Sequence, residues 1–456
     1  MDYDVVIVGG GASGAALLYT LARYSSIPRI LLIEKEKEAG CVNSHAKNNS
    51  QTLHVGDIET NYAFDKVRQV HTASMMVVRY VETLPQERQE HILFPLQKMV
   101  LGVGEREVAQ LEERFGELHK IFPTLHKLRG PEIAEVEPKV MEGRRPNELM
   151  LALYNPEGYA VNFGLLAQSL VDEGVRLGGP RVTVEFEREV LKVEKEGEGY
   201  QITTNQGSVT TRVAVFDTDA YSLGFAKSMG LGLHFSLIPV AGSFYFSPQL
   251  LAGKVYRVQD PRMPFAAAHG DPDLTRTGQT RWGPTARFYP VLEARKLSTA
   301  PAYFRSSGLL RSATWVSFFS ILLEPIRAWY LIKNFFYDLP LVGKYFFLPE
   351  VKRIVPTLKA RDLAVARGYG GMRLQRVDTT TRELLLGEGK IIGENIIFNM
   401  TPSPGASVCL YNAMRDAGTV AEFFGQDVFE KERMTKDLCT EPVSVEDVSL
   451  RDTYPS

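Results

Sequence analysis

The chain has 456 residues, too many for one simple core, and two closely packed domains are expected. Hydrophobic content of 44% and charged content of 23% are those of an ordinary globular protein, and a formal net charge of −2 gives no reason to expect a nucleic-acid partner. Cys41, Cys409 and Cys439 show neither metal-ligand spacing nor a disulfide framework, so no bound metal is expected and a reducing cytoplasm suits the thiols. The first apolar run begins almost at Met1, which argues against a signal or transit peptide. No apolar run reaches the roughly 18–20 residues that a membrane span requires.

In chain order, Val5–Val8 predicts a buried strand, Gly9, Gly11 and Gly14 follow as G-x-G-x-x-G, Ala15–Arg23 predicts a helix, and Arg29–Ile33 a second strand ending in Glu34. This is the dinucleotide-binding βαβ unit. Gly9 permits the tight turn, Gly11 lets the backbone approach a pyrophosphate, and Gly14 lets helix and strand pack closely. The helix N-terminus offers N–H groups and a positive dipole end, and Glu34 stands where an acid accepts hydrogen bonds from ribose hydroxyls. The motif does not distinguish FAD from a nicotinamide dinucleotide.

Residues 35–60 are polar and aperiodic, the pattern of a long functional loop. Asp65–Leu84, Glu105–Phe122 and Gly130–Glu137 predict helices, and Phe94–Val103 a strand. A helix over Phe163–Leu177 precedes strands at Val182–Phe186, Glu189–Glu194, Tyr200–Thr204, Val209–Arg212 and Val213–Phe216, then a helix at Tyr221–Met229. Residues 238–290 are β-like. Residues 309–348 are dense in Phe, Trp, Tyr, Leu and Ile but broken by Arg, Lys, Glu and Pro. That mixture fits a helical hairpin lying in a membrane interface, or the aromatic core of the second domain. Ala364–Asp378 and Ile396–Met400 lead to TPSPGAS at 401–407 and a helix over Val408–Phe424. Residues 431–456 predict a surface helix and a loose tail.

From the loop onward the chain resembles the malate:quinone oxidoreductases, particularly the shorter ε-proteobacterial type. The resemblance rests on NNSQTLH at 48–54, DIETNY at 57–62, GYAVNFGLLA at 158–167, PVAGSFYF at 239–246, PFAAAHGDPD at 264–273, GPTA at 283–286, GYGGMRLQ at 368–375 and NMTPSPGAS at 399–407. It implies an α/β chain (α+β overall), with a glutathione-reductase-like Rossmann FAD-binding domain and an interleaved β-sheet substrate domain. The corresponding division is 1–90, 155–235 and 360–430 for the FAD-binding domain, 91–154 and 236–359 for the substrate domain, and 431–456 for the tail.

The implied activity is oxidation of (S)-malate to oxaloacetate with hydride transfer to flavin N5, electrons passing to a membrane quinone. The implied location is the cytoplasmic face of the inner membrane, held peripherally. The same chemistry on lactate, 2-hydroxyglutarate or an amino acid, and a flavin-binding protein without turnover, are the alternatives. FAD would be held by Gly9, Gly11, Ala12, Ser13 and Gly14, by Glu34 and Lys35, by Ser44, Asn49, Ser50, Gln51 and Thr52, and by Gly405, Ala406 and Ser407. The last three precede a helix that in such proteins points at the flavin O2/N1 edge.

His269, with Asp271 nearby to fix its tautomer, is the first choice of proton acceptor, and His54 the second. A substrate with two carboxylates calls for a guanidinium: Arg373, beside Gln375, is preferred over Arg281 and Arg287, with Thr52, Asn61 and Tyr62 as further polar contacts. One departure stands out. After Val213–Phe216 such proteins carry a small-residue turn such as N-A-G close to FAD; here it reads Asp217–Thr218–Asp219, which adds bulk and negative charge.

Overall fold

Val5 and Ile7 point to one side of a strand and Val6 and Val8 to the other, and all four are buried. A strand apolar on both faces belongs inside a sheet covered by helices. In the computed structural model, which describes residues 1–259, 267–309, 311–385, 388–401, 405–425 and 427–439, Tyr3–Val8 has that place. It runs parallel to Ile30–Ile33 on one side and to Gly207–Phe216 on the other. Val182–Glu185 and Ile396–Met400 extend the parallel sheet, and Gly389–Gly393 closes one edge antiparallel. Helices Ala12–Tyr24, Phe163–Gly178 and Cys409–Phe424 pack together over Val5 and Ile7. Ala220–Ser228 covers the other face with Val6 and Val8.

The two strands expected at 209–216 are one. Gly207–Phe216 pairs antiparallel with Gly199–Thr204 through its first half and parallel with Tyr3–Val8 through its second. The expected strand Phe94–Val103 is two. Leu93–Pro95 pairs with Tyr159–Val161, and Lys98–Val103 joins a second eight-stranded sheet.

That second sheet runs in the order Ala364–Val365, Tyr245–Pro248, Gln279–Gly283, His269–Pro272, Lys254–Arg257, Lys98–Val103, Met150–Asn155, His126–Leu128. A four-stranded sheet of Arg287–Phe288, Phe235–Ala241, Met372–Asp378 and Glu383–Leu385 lies between domains in sequence: Met372–Asp378, assigned by sequence to the nucleotide-binding segments, pairs antiparallel with Phe235–Ala241.

Residues 309–348 contribute helices Ser312–Leu322 and Pro325–Tyr337 and the start of Gly343–Lys352. Glu324 caps the second by accepting from the Arg327 N–H, and Pro325 takes the first helical position, where its missing N–H costs nothing. Phe318, Ile321, Tyr337 and Phe347 face inward, while Trp315, Phe319, Leu323, Trp329 and Phe335 are exposed. Among the described residues no single helix is long and apolar enough to cross a membrane. The first two pass by length and composition only together, and they are bent by 87°. Lys431–Leu438 is the expected surface helix; the tail from 440 lies outside the described residues.

Candidate active site

The glycine turn shapes one end of a long cleft. Gly9 has φ 107°, and a Cβ at Gly14 would lie 1.9 Å from the Gly9 carbonyl oxygen, so Gly14 is a packing glycine while Gly9, Gly11, Ala12 and Ser13 line the cleft. Gly11 is the N-cap of Ala12–Tyr24, and its lack of a side chain leaves that positive end open to the cleft. Glu34 also lines the cleft. Its carboxylate accepts from the Gly10 N–H at 2.6 Å and the Glu36 N–H at 2.8 Å, which leaves lone pairs for a further donor. Burial raises its pKa against these two bonds. Lys35 pairs with Glu293 and lies over the Tyr221 ring.

The loop after the second strand runs along the same cleft through Ser44, Asn49, Ser50, Thr52 and His54. Gln51 does not line it; this residue is fully buried, bonding the Ala46 carbonyl and Asp273. The Ser407 hydroxyl, at the start of the last long helix, accepts from the His54 N–H at 3.1 Å and donates to the Thr52 carbonyl at 3.3 Å. Ala406 and Ser407 therefore face the loop across the cleft, with buried Gly405 behind them; Pro404 lies outside the described residues.

His54 Nδ1 is hydrogen-bonded to the buried Glu59 carboxylate. Burial pushes Glu59 up, but the His54 ring and Lys98 outweigh it and leave its pKa below the usual carboxylate range. An ionised Glu59 holds the proton on Nδ1 and leaves Nε2 as the acceptor. Arg373 also lines the cleft, and no acidic side chain pairs with it among the described residues. The titratable groups nearest it are the phenols of Tyr330 and Tyr256, both kept neutral by burial, and burial lowers its own pKa. The Tyr256 hydroxyl is 2.7 Å from Thr52 Oγ1, so Tyr256 stands directly behind the cleft wall.

The other residues expected here lie elsewhere. His269 is not on the cleft. It is buried and stacked on Tyr256 with ring centroids 4.2 Å apart, and its Nε2 is 3.7 Å from Asp271 without a hydrogen bond. Asp271 is occupied by Arg281 at 2.9 Å and Lys254 at 3.1 Å, and burial pushes the His269 pKa down to about 3. Arg281 is likewise committed, to Asp271, to Asp273 at 3.2 Å and to the carbonyls of Asn49 and Ser50. Arg287 packs on Tyr289 and faces Asp338, Gln375 is buried two residues beyond Arg373, and Asn61 and Tyr62 lie outside the cleft lining. The sequence reading did not single out Asn43, Glu59, Tyr221, Tyr256 or Thr401; only their tertiary contacts bring them to the site.

The pattern of the family described as FAD dependent oxidoreductase matches residues 4–407. The malate:quinone oxidoreductase of Helicobacter pylori strain J99 is 40% identical over 449 residues, covering 97% of this chain and 99% of its own length. A probable malate:quinone oxidoreductase of Campylobacter jejuni is 40% identical over 448 residues, covering 96% and 99%. The chain belongs to the malate:quinone oxidoreductases, among the FAD-dependent oxidoreductases. Glycine oxidase from Geobacillus kaustophilus shares the fold of this chain, with TM-score 0.64, 18% identity, and coverage of 97% and 99%.

FAD is the cofactor of this chain, and its residues fit the group. A Cβ at Gly11 would point to Ser44 Oγ, 3.4 Å away, in the space a phosphate needs, and Gly9 is in the left-handed conformation the turn requires. In this member of the malate:quinone oxidoreductases the second turn is in place despite its aspartates. Asp217 donates its N–H to the Val8 carbonyl at 2.8 Å, and Asp219 takes φ 48° at the head of Ala220–Ser228.

Proposed function

We propose that this enzyme oxidises (S)-malate to oxaloacetate and passes the electrons to a quinone held in the membrane. The observation that carries the reading is Arg373: a half-buried guanidinium, without a carboxylate partner among the described residues, on the wall of the FAD cleft. Such a group is costly to bury unless a ligand anion completes it. The curated relatives with matching architecture are named for malate and quinone.

Gly9, Gly11, Ala12, Ser13 and Glu34 hold the dinucleotide end, and Ser44, Asn49, Ser50, Thr52, Ala406 and Ser407 line the rest of the path. The chemistry that bound FAD supplies is acceptance of the C2 hydrogen as a hydride at N5. Arg373 binds a malate carboxylate in bidentate fashion and fixes which hydrogen is presented. His54 Nε2 takes the hydroxyl proton, and Glu59 stabilises the imidazolium that results. His269 is the weaker base on this geometry, because a group pushed down to about 3 holds a proton poorly near neutral pH. The exposed aromatic face of Ser312–Leu322 and Pro325–Tyr337 supports peripheral attachment to the cytoplasmic face of the inner membrane.

The test is anaerobic bleaching of the flavin absorbance in the purified enzyme. Malate is expected to bleach it within one turnover; lactate and 2-hydroxyglutarate are expected to do so far more slowly. Bleaching by lactate but not malate overturns the substrate assignment.

A further inference from the structure

The turn Asp217–Thr218–Asp219 lies against the glycine cradle: a Cβ on Gly9 would stand 2.5 Å from the Asp217 carbonyl oxygen. Anything resting on the cradle therefore also meets the turn. Asp219 lines the cleft with a positive φ of 48° and ψ of −113°, a backbone conformation that L side chains rarely adopt. Its carboxyl accepts from Asn43 Nδ2 at 2.9 Å and is within reach of the N–H groups of Ala220 and Thr401. The groups that act on it come from three elements: the neutral Asn43 amide from the loop, the Thr401 N–H from the end of Ile396–Met400, and the Ala220 N–H from its own helix. None is a cation. Thr401 in turn hydrogen-bonds through its hydroxyl to Ser13 of the glycine turn, at 3.2 Å. Asp217, the other acid of the turn, accepts from Asn399, which also bonds Asp416, the partner of Lys390; burial and Asp416 raise it to about 7, so it titrates in the same range and must be tested beside Asp219.

A half-buried carboxylate without a countercation beside a pyrophosphate opposes the binding of a dianion. The same carboxyl in its neutral form is a hydrogen-bond donor. We propose that Asp219 holds FAD as the neutral acid, donating its proton in a hydrogen bond to the bound dinucleotide, so that FAD binding takes up one proton from solvent and FAD release returns it. No covalent bond changes. Burial already raises Asp219 to about 6, and a dianionic ligand raises it further. Below that pH the donor form is present before FAD arrives. Above it each binding event must also bind a proton, so the FAD dissociation constant rises with pH, by up to about tenfold per unit.

The experiment uses the holoenzyme. Diluted enzyme is equilibrated at pH 5.5 to 8, and released FAD is read by its fluorescence, with far-UV circular dichroism confirming the fold at each pH. The wild-type dissociation constant is expected to rise at least tenfold across the range. In weak buffer near pH 7, a pH dye should record about one proton released per FAD released. Asp219→Asn keeps the positive-φ backbone and a neutral donor, and its dissociation constant is expected to be flat with no proton released. Asp217→Asn should keep the wild-type slope. A flat wild-type profile, or an Asp219→Asn enzyme that retains the slope, overturns the proposal. If Asp219→Asn does not fold, Asp217→Asn decides: a retained slope supports Asp219, and a lost slope moves the proton to Asp217 and overturns it.

Discussion

Two histidines compete for the proton of the substrate hydroxyl, and their surroundings separate them. His54 has a carboxylate bonded to Nδ1; His269 has its nearest carboxylate at 3.7 Å, already shared by Lys254 and Arg281. A proton taken up by His54 would face the Glu59 carboxylate directly, whereas one on His269 would place a third cation beside Asp271 in a buried site. His54→Gln is therefore expected to slow anaerobic flavin bleaching by about 10²–10⁴-fold while FAD stays bound, and Glu59→Gln to slow it less. His269→Gln should change it by less than about tenfold. Stopped-flow absorbance decides, and a larger loss in the His269 variant would return the base to that strand. At the same scale lies the reason Arg281 looks like a substrate ligand in sequence. Its neutralising partners Asp271 and Asp273 stand ten and eight residues earlier, and only antiparallel pairing, with Asp271 opposite Arg281, shows that the guanidinium is spent.

At the scale of elements, three strands of the substrate sheet each bury one cation against the loop that carries Thr52 and His54. Lys98 reaches Asp57 at 2.7 Å and the Leu53 carbonyl at 3.4 Å, Lys254 reaches the Ser50 carbonyl at 3.2 Å, and Arg281 reaches those of Asn49 and Ser50. A loop with almost no regular structure is thereby fixed from beneath. Lys98→Met strands the buried Asp57 carboxylate and should cost about 3–5 kcal/mol in urea unfolding; adding Asp57→Leu should recover a large part. A double variant no more stable than the single would mean that the ion pair does not hold the loop. These clamps were not legible in sequence, because a lysine inside a strand looks solvent-facing until its register is known. The βαβ unit was legible, because a continuous apolar run and G-x-G-x-x-G are local patterns. Met150–Asn155 carries the same kind of local signal, a short apolar run closed by the turn sequence Asn155–Pro156–Glu157–Gly158, and it pairs antiparallel with Lys98–Val103. Asp219 was visible as an anomaly, but its Asn43 partner lies 176 residues away.

Over the whole molecule, the helices at 312–337 run from the surface to the neighbourhood of Arg373. Trp329 is 65% exposed, while its neighbour Tyr330 packs inward near Arg373. Leu323 is 67% and Phe335 56% exposed on the same pair of helices, and Arg327 and Lys333 lie among them. Such an exposed apolar face suits a lipid interface, and an acceptor dissolved in the bilayer would then be met on the side of the molecule that holds Arg373. Each half-exposed aromatic side chain contributes about 1 kcal/mol when it enters an apolar phase, so four together give about 4 kcal/mol, on the order of a thousandfold in partition. Replacing Trp315, Phe319, Trp329 and Phe335 by Ser together should abolish sedimentation with anionic liposomes. Malate oxidation with a soluble dye should be preserved, because none of the four touches the cleft, whereas activity with quinone supplied in vesicles should fall in step with the lost binding. A variant that sediments like the wild type would place the membrane contact on another face. One that loses dye activity as well would show that these helices act by supporting Tyr330 and Arg373 rather than by meeting lipid.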